Sequence, residues 1–249
     1  MLKSDQDSLK QLIKESCETD NKYNFILSVI EENIKQNIHI KEQIRILPML
    51  IEPSTRIGYN LPRILGLLNQ TIIDENNKFS SILADSFGYI VLNCWKQTVI
   101  SEEDKREAYE NLQNFCFNNL KQESKYAQVC GSLCLSRLIE NCPLILSKNN
   151  MKCIWENIMN FLERSNFSAT SELLDTLISL IFAVENLFKP YATITLYKVL
   201  DFITNNDWIK RKLAIDIIYT LANYSPKEVL PLKAQIVDFL SALKTDKVS

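Results

Sequence analysis

The chain has 249 residues, 46% hydrophobic and 23% charged, with a net charge of −2, the profile of a globular protein and not of a disordered one. A near-neutral balance argues against bulk nucleic-acid binding, which needs a strong basic field, and no apolar run approaches the roughly 18–20 residues of a membrane span. Seven scattered cysteines and an acidic opening without an apolar leader point to a reducing, cytosolic compartment with neither nucleic acid nor membrane as partner.

In chain order, the first expected pair joins a helix near Asp5–Cys17 to one near Lys22–Gln36, where Tyr23, Ile26, Leu27, Ile30 and Ile34 recur at helical spacing. Ile40–Glu52 is helical in pattern but should kink at Pro48, which lacks a backbone donor. With no partner helix before it, this repeat reads as abbreviated. From Tyr59 the pattern is regular: Leu61, Ile64, Leu65, Leu68 and Ile72 line one face, with Pro62 tolerated in the first turn. Its mate spans Lys78–Cys94. The next helix opens at Ser101-Glu102-Glu103-Asp104, a serine cap with acids that suit the helix dipole, and runs to about Lys121. Its mate, Lys125–Cys142, stops before Pro143.

Two further pairs follow, Asn149–Arg164 with Ala169–Asn186, and Pro190–Thr204 with Trp208–Asn223. In the last of these Ile209, Leu213, Ile217 and Leu221 form an i,i+4 ladder. Ser225-Pro226-Lys227-Glu228 has the form of a capping box with Pro at the first helical position. It should start a final helix, Pro226–Lys244, whose second-of-pair mate is not in this sequence. Gly88 and Gly131 interrupt strong helical patterns, each at a cost of about 1 kcal/mol relative to Ala. Close helix approach would offset that cost.

Polar turns separate the members of these pairs. From Asn77 to Ser124, Asn166, Asp207 and Asp246 the steps are 47, 42, 41 and 39 residues. A period of about 40–47 residues with two helices per unit is the mark of a HEAT or armadillo-type α-solenoid. The expectation is an all-α array of about six helix pairs, the last incomplete, forming one domain over residues 1–249.

Chemistry of the catalytic kind has little to work with. His39 is the sole histidine, flanked by Ile38 and Ile40, and a capping or half-buried role is expected for it. Cys130 and Cys134 share a helix face, but no Cys-x-x-Cys pair or histidine completes a metal set, so they read as core thiols. Neither a Walker A loop nor a Gly-x-Gly-x-x-Gly pattern occurs; no cofactor or metal is expected, and no enzyme activity. Trp208, beside Asp207 at a helix start, either seals the repeat junction or stands out as an anchor for a partner. Lys22, Lys78, Lys125, Arg164, Lys210, Arg211 and Lys212 all lie near intra-repeat turns. In a solenoid those turns share one edge, where the cations would form a stripe that steers an acidic partner.

Asp207-Trp208, Arg211-Lys212-Leu213-Ala214, Leu232-Lys233-Ala234 and Asp246-Lys247-Val248 occur in the order found in the closing repeats of the plant tortifolia/spiral microtubule-associated proteins. Gln122–Pro143 resembles the segment of that family in which a Gln-Glu turn leads into Ala-Gln and Leu-Cys-Leu. Asp74–Val91 resembles a HEAT turn followed by a helix, with Lys78-Phe79-Ser80 in place of the usual Val-Arg. The resemblance implies a TOG-like HEAT array that performs no chemistry and binds tubulin or the microtubule wall through its turns. Other cytoskeletal or axonemal proteins are further partners it implies, with a cytoplasmic, cytoskeletal or ciliary location. The alternative of a different class is a general protein scaffold of the importin or phosphatase-adaptor type, with its partner on the inner helical face.

Overall fold

The computed structural model describes residues 20–51, 57–72, 79–96, 101–142, 144 and 147–243. The expected helix Asp5–Cys17, the turns at Asn76-Asn77 and Asp246-Lys247, and Lys78 lie outside them. Among the described residues every regular element is helical and none is a strand. In order they are α1 (Asp20–Lys35), α2 (Ile40–Ile46), α3 (Ile57–Gln70), α4 (Ser80–Lys96), α5 (Glu102–Leu120), α6 (Lys125–Asn141), α7 (Lys148–Leu162), α8 (Thr170–Val184), α9 (Lys189–Ile203), α10 (Trp208–Tyr224), α11 (Pro226–Val229) and α12 (Lys233–Leu243). This all-helical arrangement in consecutive pairs is the HEAT-like solenoid expected from the period.

Side-chain caps set many of the helix starts. Ser101, Ser124 and Ser147 accept from the backbone N–H of Asp104, Ala127 and Asn150 at 3.1, 3.3 and 3.2 Å, and Asp207 accepts from Ile209 at 2.9 Å. Each such cap is worth about 1 kcal/mol. The end of α1 is set by Asn37, whose φ of 56° is left-handed. The N–H groups of Ile38 and Asn37 donate back to Asn33 and Ile34, the double closure of a Schellman motif. Asparagine tolerates that conformation better than most residues. At the other sharp break, Pro48 converts the end of α2 into a 3-10 turn over Leu47–Leu50, as its missing donor requires.

Contacts divide the chain into two compact units, Met1–Cys142 and Pro143–Ser249. In the first, α1, α3 and α5 stack as one row and α2, α4 and α6 as the other. Leu27, Ile44, Leu61, Leu83, Phe87, Leu112 and Leu135 are fully buried between the rows, and Phe87 stacks on Phe115 with ring centres 5.3 Å apart. The repeat that reads as abbreviated therefore has a partner: α2 pairs with α1. The Tyr23 hydroxyl donates to the Leu50 carbonyl at 3.1 Å, and Arg63 of α3 bonds Asn24 and Ser28 of α1. In the second unit α7 pairs with α8 and α9 with α10. The Trp155 indole of α7 donates to the Thr195 hydroxyl of α9 at 2.9 Å, out of contact with water.

The end of the described chain departs from expectation. Pro231 breaks the expected helix Pro226–Lys244 into α11, a 3-10 turn over Leu230–Leu232, and α12. The capping box at Ser225 does not form. The Ser225 N–H closes α10 by donating to Leu221 at 2.7 Å, which leaves Glu228 no N–H to accept from. The Ser225 hydroxyl and one Glu228 carboxylate oxygen are buried without a hydrogen-bond partner among the described residues.

Close helix approach explains one of the two interior glycines. A Cβ on Gly131 of α6 would lie 2.9 Å from the Leu120 nitrogen and 3.0 Å from the Cys116 oxygen of α5, so α6 rests directly on the backbone of its own pair-mate. Gly88 instead meets only the Arg137 side chain at ordinary contact distance, where Arg137 pairs with Asp85 at 2.7 Å and Glu140 at 2.9 Å.

Gly131→Ala should lower stability by about 1–2 kcal/mol, because backbone displacement of about 1–3 kcal/mol outweighs a helix-propensity gain of about 1 kcal/mol. Gly66→Ala in α3, with no atom within 4 Å of the new methyl, should raise stability by up to about 1 kcal/mol. Urea melts of the two variants therefore move in opposite directions, and a stabilised Gly131→Ala would refute the backbone contact. Hydrogen exchange should open α12, where Ile236 is buried but Val237 and Asp238 are exposed, earlier than α8, where Leu173, Leu174, Leu177, Leu180 and Ile181 are fully covered. Equal protection would show that another surface covers α12.

Candidate functional site

Helix direction decides which loops share an end. In the first unit the start of α1 meets Leu50 through Tyr23, and the end of α4 meets Pro48 through Asn93 at 3.0 Å. The Cys94 and Cys142 thiols, closing α4 and α6, lie close enough to interact, and the Tyr126 phenol at the start of α6 sits against the Phe79 backbone that precedes α4. The intra-pair turns, 36–39 and 121–124, are thus at the end opposite Tyr23. Lys22 is exposed but lies beside Tyr23, at the other end from Lys125. Among the described residues α1 has α2 as its pair-mate, so Lys22 does not share an end with Lys125.

The intra-pair turn between α5 and α6 carries two exposed cations, Lys121 and Lys125, with no ion pair among the described residues. Lys121 was not apparent as a site residue in the sequence, although its position at the end of an amphipathic helix places it on this turn. The turn is rigid. Besides the Ser124 cap, the buried Gln128 side chain donates to the Gln122 carbonyl at 2.7 Å and Asn119 donates to Phe115 at 2.9 Å.

In the second unit Phe182 and Tyr224, near the ends of α8 and α10, meet edge to face at 5.7 Å. The starts of those helices, and the turns before them, therefore share the opposite end. There the Arg164 guanidinium lies 4.5 Å from the centre of its own Phe161 ring and stays exposed. Trp208 is 54% exposed and Ile209 42%. Among the described residues the indole is presented to solvent. The ladder expected along this helix is buried only at Ile217 and Leu221.

The neighbouring cations differ in what they can offer. Arg211 donates to the Asn205 and Asn206 carbonyls at 2.8 and 3.0 Å, so its charge serves the turn. Lys212 pairs with Asp216 at 2.7 Å, which raises its pKa through that hydrogen bond first and the attraction of the carboxylate second. Lys210 is half-buried and has no ion pair among the described residues. Lys78 lies outside the described residues. Of the expected stripe, the structure thus leaves Lys125, Arg164, Lys210 and Trp208 available, and adds Lys121.

Catalytic geometry is not assembled around the remaining candidates. His39 is exposed, at the left-handed start of α2, and makes no side-chain capping bond. Among the described residues no three His, Cys, Asp or Glu side chains converge as metal ligands. Cys116, Cys130 and Cys134 are buried, as expected of core thiols. Burial pushes Cys130 up to about 12 and Cys116 and Cys134 well above the ordinary thiol range. An apolar groove of about 260 Å³ runs beside α10, α11 and α12, lined by Ile218, Ala222, Val229, Leu230, Ile236 and Val237, with Lys233 its one charged lining residue among those described. Among the described residues no helix is long and apolar enough to cross a membrane.

The TORTIFOLIA1 N-terminal family matches residues 4–249. The chain belongs to that family. TORTIFOLIA1-like protein 2 of Arabidopsis thaliana is 26% identical to it over 151 residues, 59% of this chain and 18% of that protein. The chain therefore spans under a fifth of the length of this curated TORTIFOLIA1 relative.

The thiols supply a test of the packing that positions both turn edges. In a Cys17→Ser variant, Cys153, the exposed thiol of α7, should react with a thiol reagent in the native state. Cys94, Cys116, Cys130, Cys134 and Cys142 should react only on unfolding, because all five are buried out of reach of the reagent. Rapid modification of Cys116 or Cys134, read by peptide mass spectrometry, would contradict the packed core.

Proposed function

We propose that the chain is a non-enzymatic TOG-like HEAT module that binds tubulin or the microtubule lattice through its intra-pair turns. The observation that carries this reading is the set of exposed side chains on those turns, Lys121 and Lys125 in the first unit and Arg164 and Trp208 in the second, with the half-buried Lys210 beside them. Solenoid turns are where residues are held rigidly yet remain free to meet a partner. Membership of a microtubule-associated family supports the choice of partner. A cytoskeletal location follows from that choice, with axonemal or other cytoskeletal proteins as additional partners.

A second reading has its own observation. Tyr89 on α4, and Phe182 and Tyr219 on α8 and α10, are 62%, 52% and 67% exposed on second-of-pair helices. Large exposed aromatics of this kind suit a general scaffold whose partner lies on the helical face.

Co-sedimentation separates the two. The wild-type chain should pellet with microtubules. Charge reversal at Lys121, Lys125, Arg164 and Lys210 should weaken pelleting several-fold, while each exposed substitution shifts stability by only about 0.5 kcal/mol. Failure of the wild type to pellet would favour the scaffold reading, and undiminished pelleting of the reversed variant with its helicity intact would reject the charged turns as the contact.

A further inference from the structure

The exposed side chains of the first-of-pair helices are not alike. In the first unit α5 exposes only charged and amide side chains. In the second, α7 exposes Lys152, Glu156 and Asn160 around Cys153. α9 breaks this pattern. Ile194 is 57% exposed and Tyr197 55%, with Pro190 exposed beside them. Leu187, in the 3-10 turn Glu185–Phe188 that leads into the helix, is 47% exposed. These four residues are spaced 3, 4 and 3 apart, the alternation that gathers apolar side chains into one seam along a helix. The other side of α9 is already occupied, since Ala192, Leu196, Val199 and Ile203 are fully buried and Thr195 receives the Trp155 indole.

The charges at the two ends of α9 indicate what would cover the seam. Lys189 is the first residue of the helix and Asp201 lies in its last turn. That is the reverse of the order the helix dipole favours, anions at the start and cations at the end. Both side chains are exposed, and neither has an ion pair among the described residues. A second α9 running antiparallel removes the mismatch. About a two-fold axis level with Thr195, halfway between the two charges, each Asp201 comes level with Lys189 and with the positive start of the other copy's helix. That axis lies one residue from Ile194, so the apolar seams meet over the same stretch. A parallel pair would instead set Lys189 beside Lys189 and Asp201 beside Asp201.

We propose that this face of α9 is a self-association surface, on which two copies of the chain pair antiparallel through Pro190, Ile194 and Tyr197, with Lys189 of each copy facing Asp201 of the other. The same patch serves both copies, as a two-fold interface requires. Three or four side chains per copy cover less than the roughly 800 Å² per partner of a standard interface. The dimer is therefore weak and reversible, with a dissociation constant on the order of tens of micromolar. Two joined copies present two sets of turns, so a partner with repeated sites is held by avidity. The surface is separate from the intra-pair turns and does not depend on the microtubule reading.

Sedimentation equilibrium of the full chain, from about 5 to about 300 μM at low salt, tests the pairing. The wild type should show a reversible monomer–dimer equilibrium. Ile194→Lys should weaken it at least about tenfold, with helicity by circular dichroism unchanged. Lys189→Glu and Asp201→Lys, each alone, set like charges against each other at both ends and should each weaken it at least about fivefold. Mixing these two variants in equal amounts restores opposite charges at both ends, so their heterodimer should match the wild-type affinity to within about twofold. A wild-type chain that stays monomeric throughout, or a dimer unaffected by Ile194→Lys, would overturn the surface. A mixture that associates no more tightly than either variant alone would overturn the antiparallel pairing.

Discussion

A pair of helices of this length has apolar surface on more sides than its partner can cover, so each pair must lie against another. That constraint orders the whole chain. Burial of an apolar side chain contributes roughly 1.5–3 kcal/mol, and rows of side chains such as Leu83, Phe87, Leu112 and Leu135 gain it only when parallel helices from successive pairs are stacked. The approach of α6 to the backbone of α5 at Gly131 shows how tightly these pair-mates must pack for both rows to close.

Stacking in rows has a consequence for function. Among the described residues the intra-pair turns of a unit emerge at one end, so a turn residue acquires neighbours far away in sequence. The first unit brings Lys121 and Lys125 to the end that also carries the Schellman turn at Asn37. The second brings Arg164 to the end that carries Trp208. Caps at Ser124 and Asp207 hold two of these turns in one conformation, so a partner meets side chains whose backbone has already been ordered, which reduces the entropy cost of binding.

Several features were legible in the sequence because they are local. Spacing at i, i+3 and i+4 identified the helices, Ser101 and its acids marked a start that the structure reproduces, and Pro48 marked a break. Where local signals failed, a second demand on the same atom was responsible. Ser225 and Glu228 have the residues of a capping box, but the Ser225 N–H was already committed to Leu221. Pro231, unremarked inside an apolar pattern, interrupts the helix that the pattern implied. Which end Lys22 occupies is likewise not a local property: it follows from α1 packing against α2 and α3.

The sequence by itself determined an all-helical repeat and its family, because period, caps and apolar stripes are properties of short stretches of chain. It also determined that Cys130 and Cys134 would be core thiols, since they share one apolar helix face. Only the tertiary structure decided which cations remain available. Arg211 and Lys212 look equivalent to Lys210 in sequence, yet one is committed to turn carbonyls and the other to Asp216. It also decided that Trp208 faces water, because the exposure of a turn residue depends on whether a neighbouring turn reaches over it. Those outcomes are set by distances between elements that no local pattern encodes.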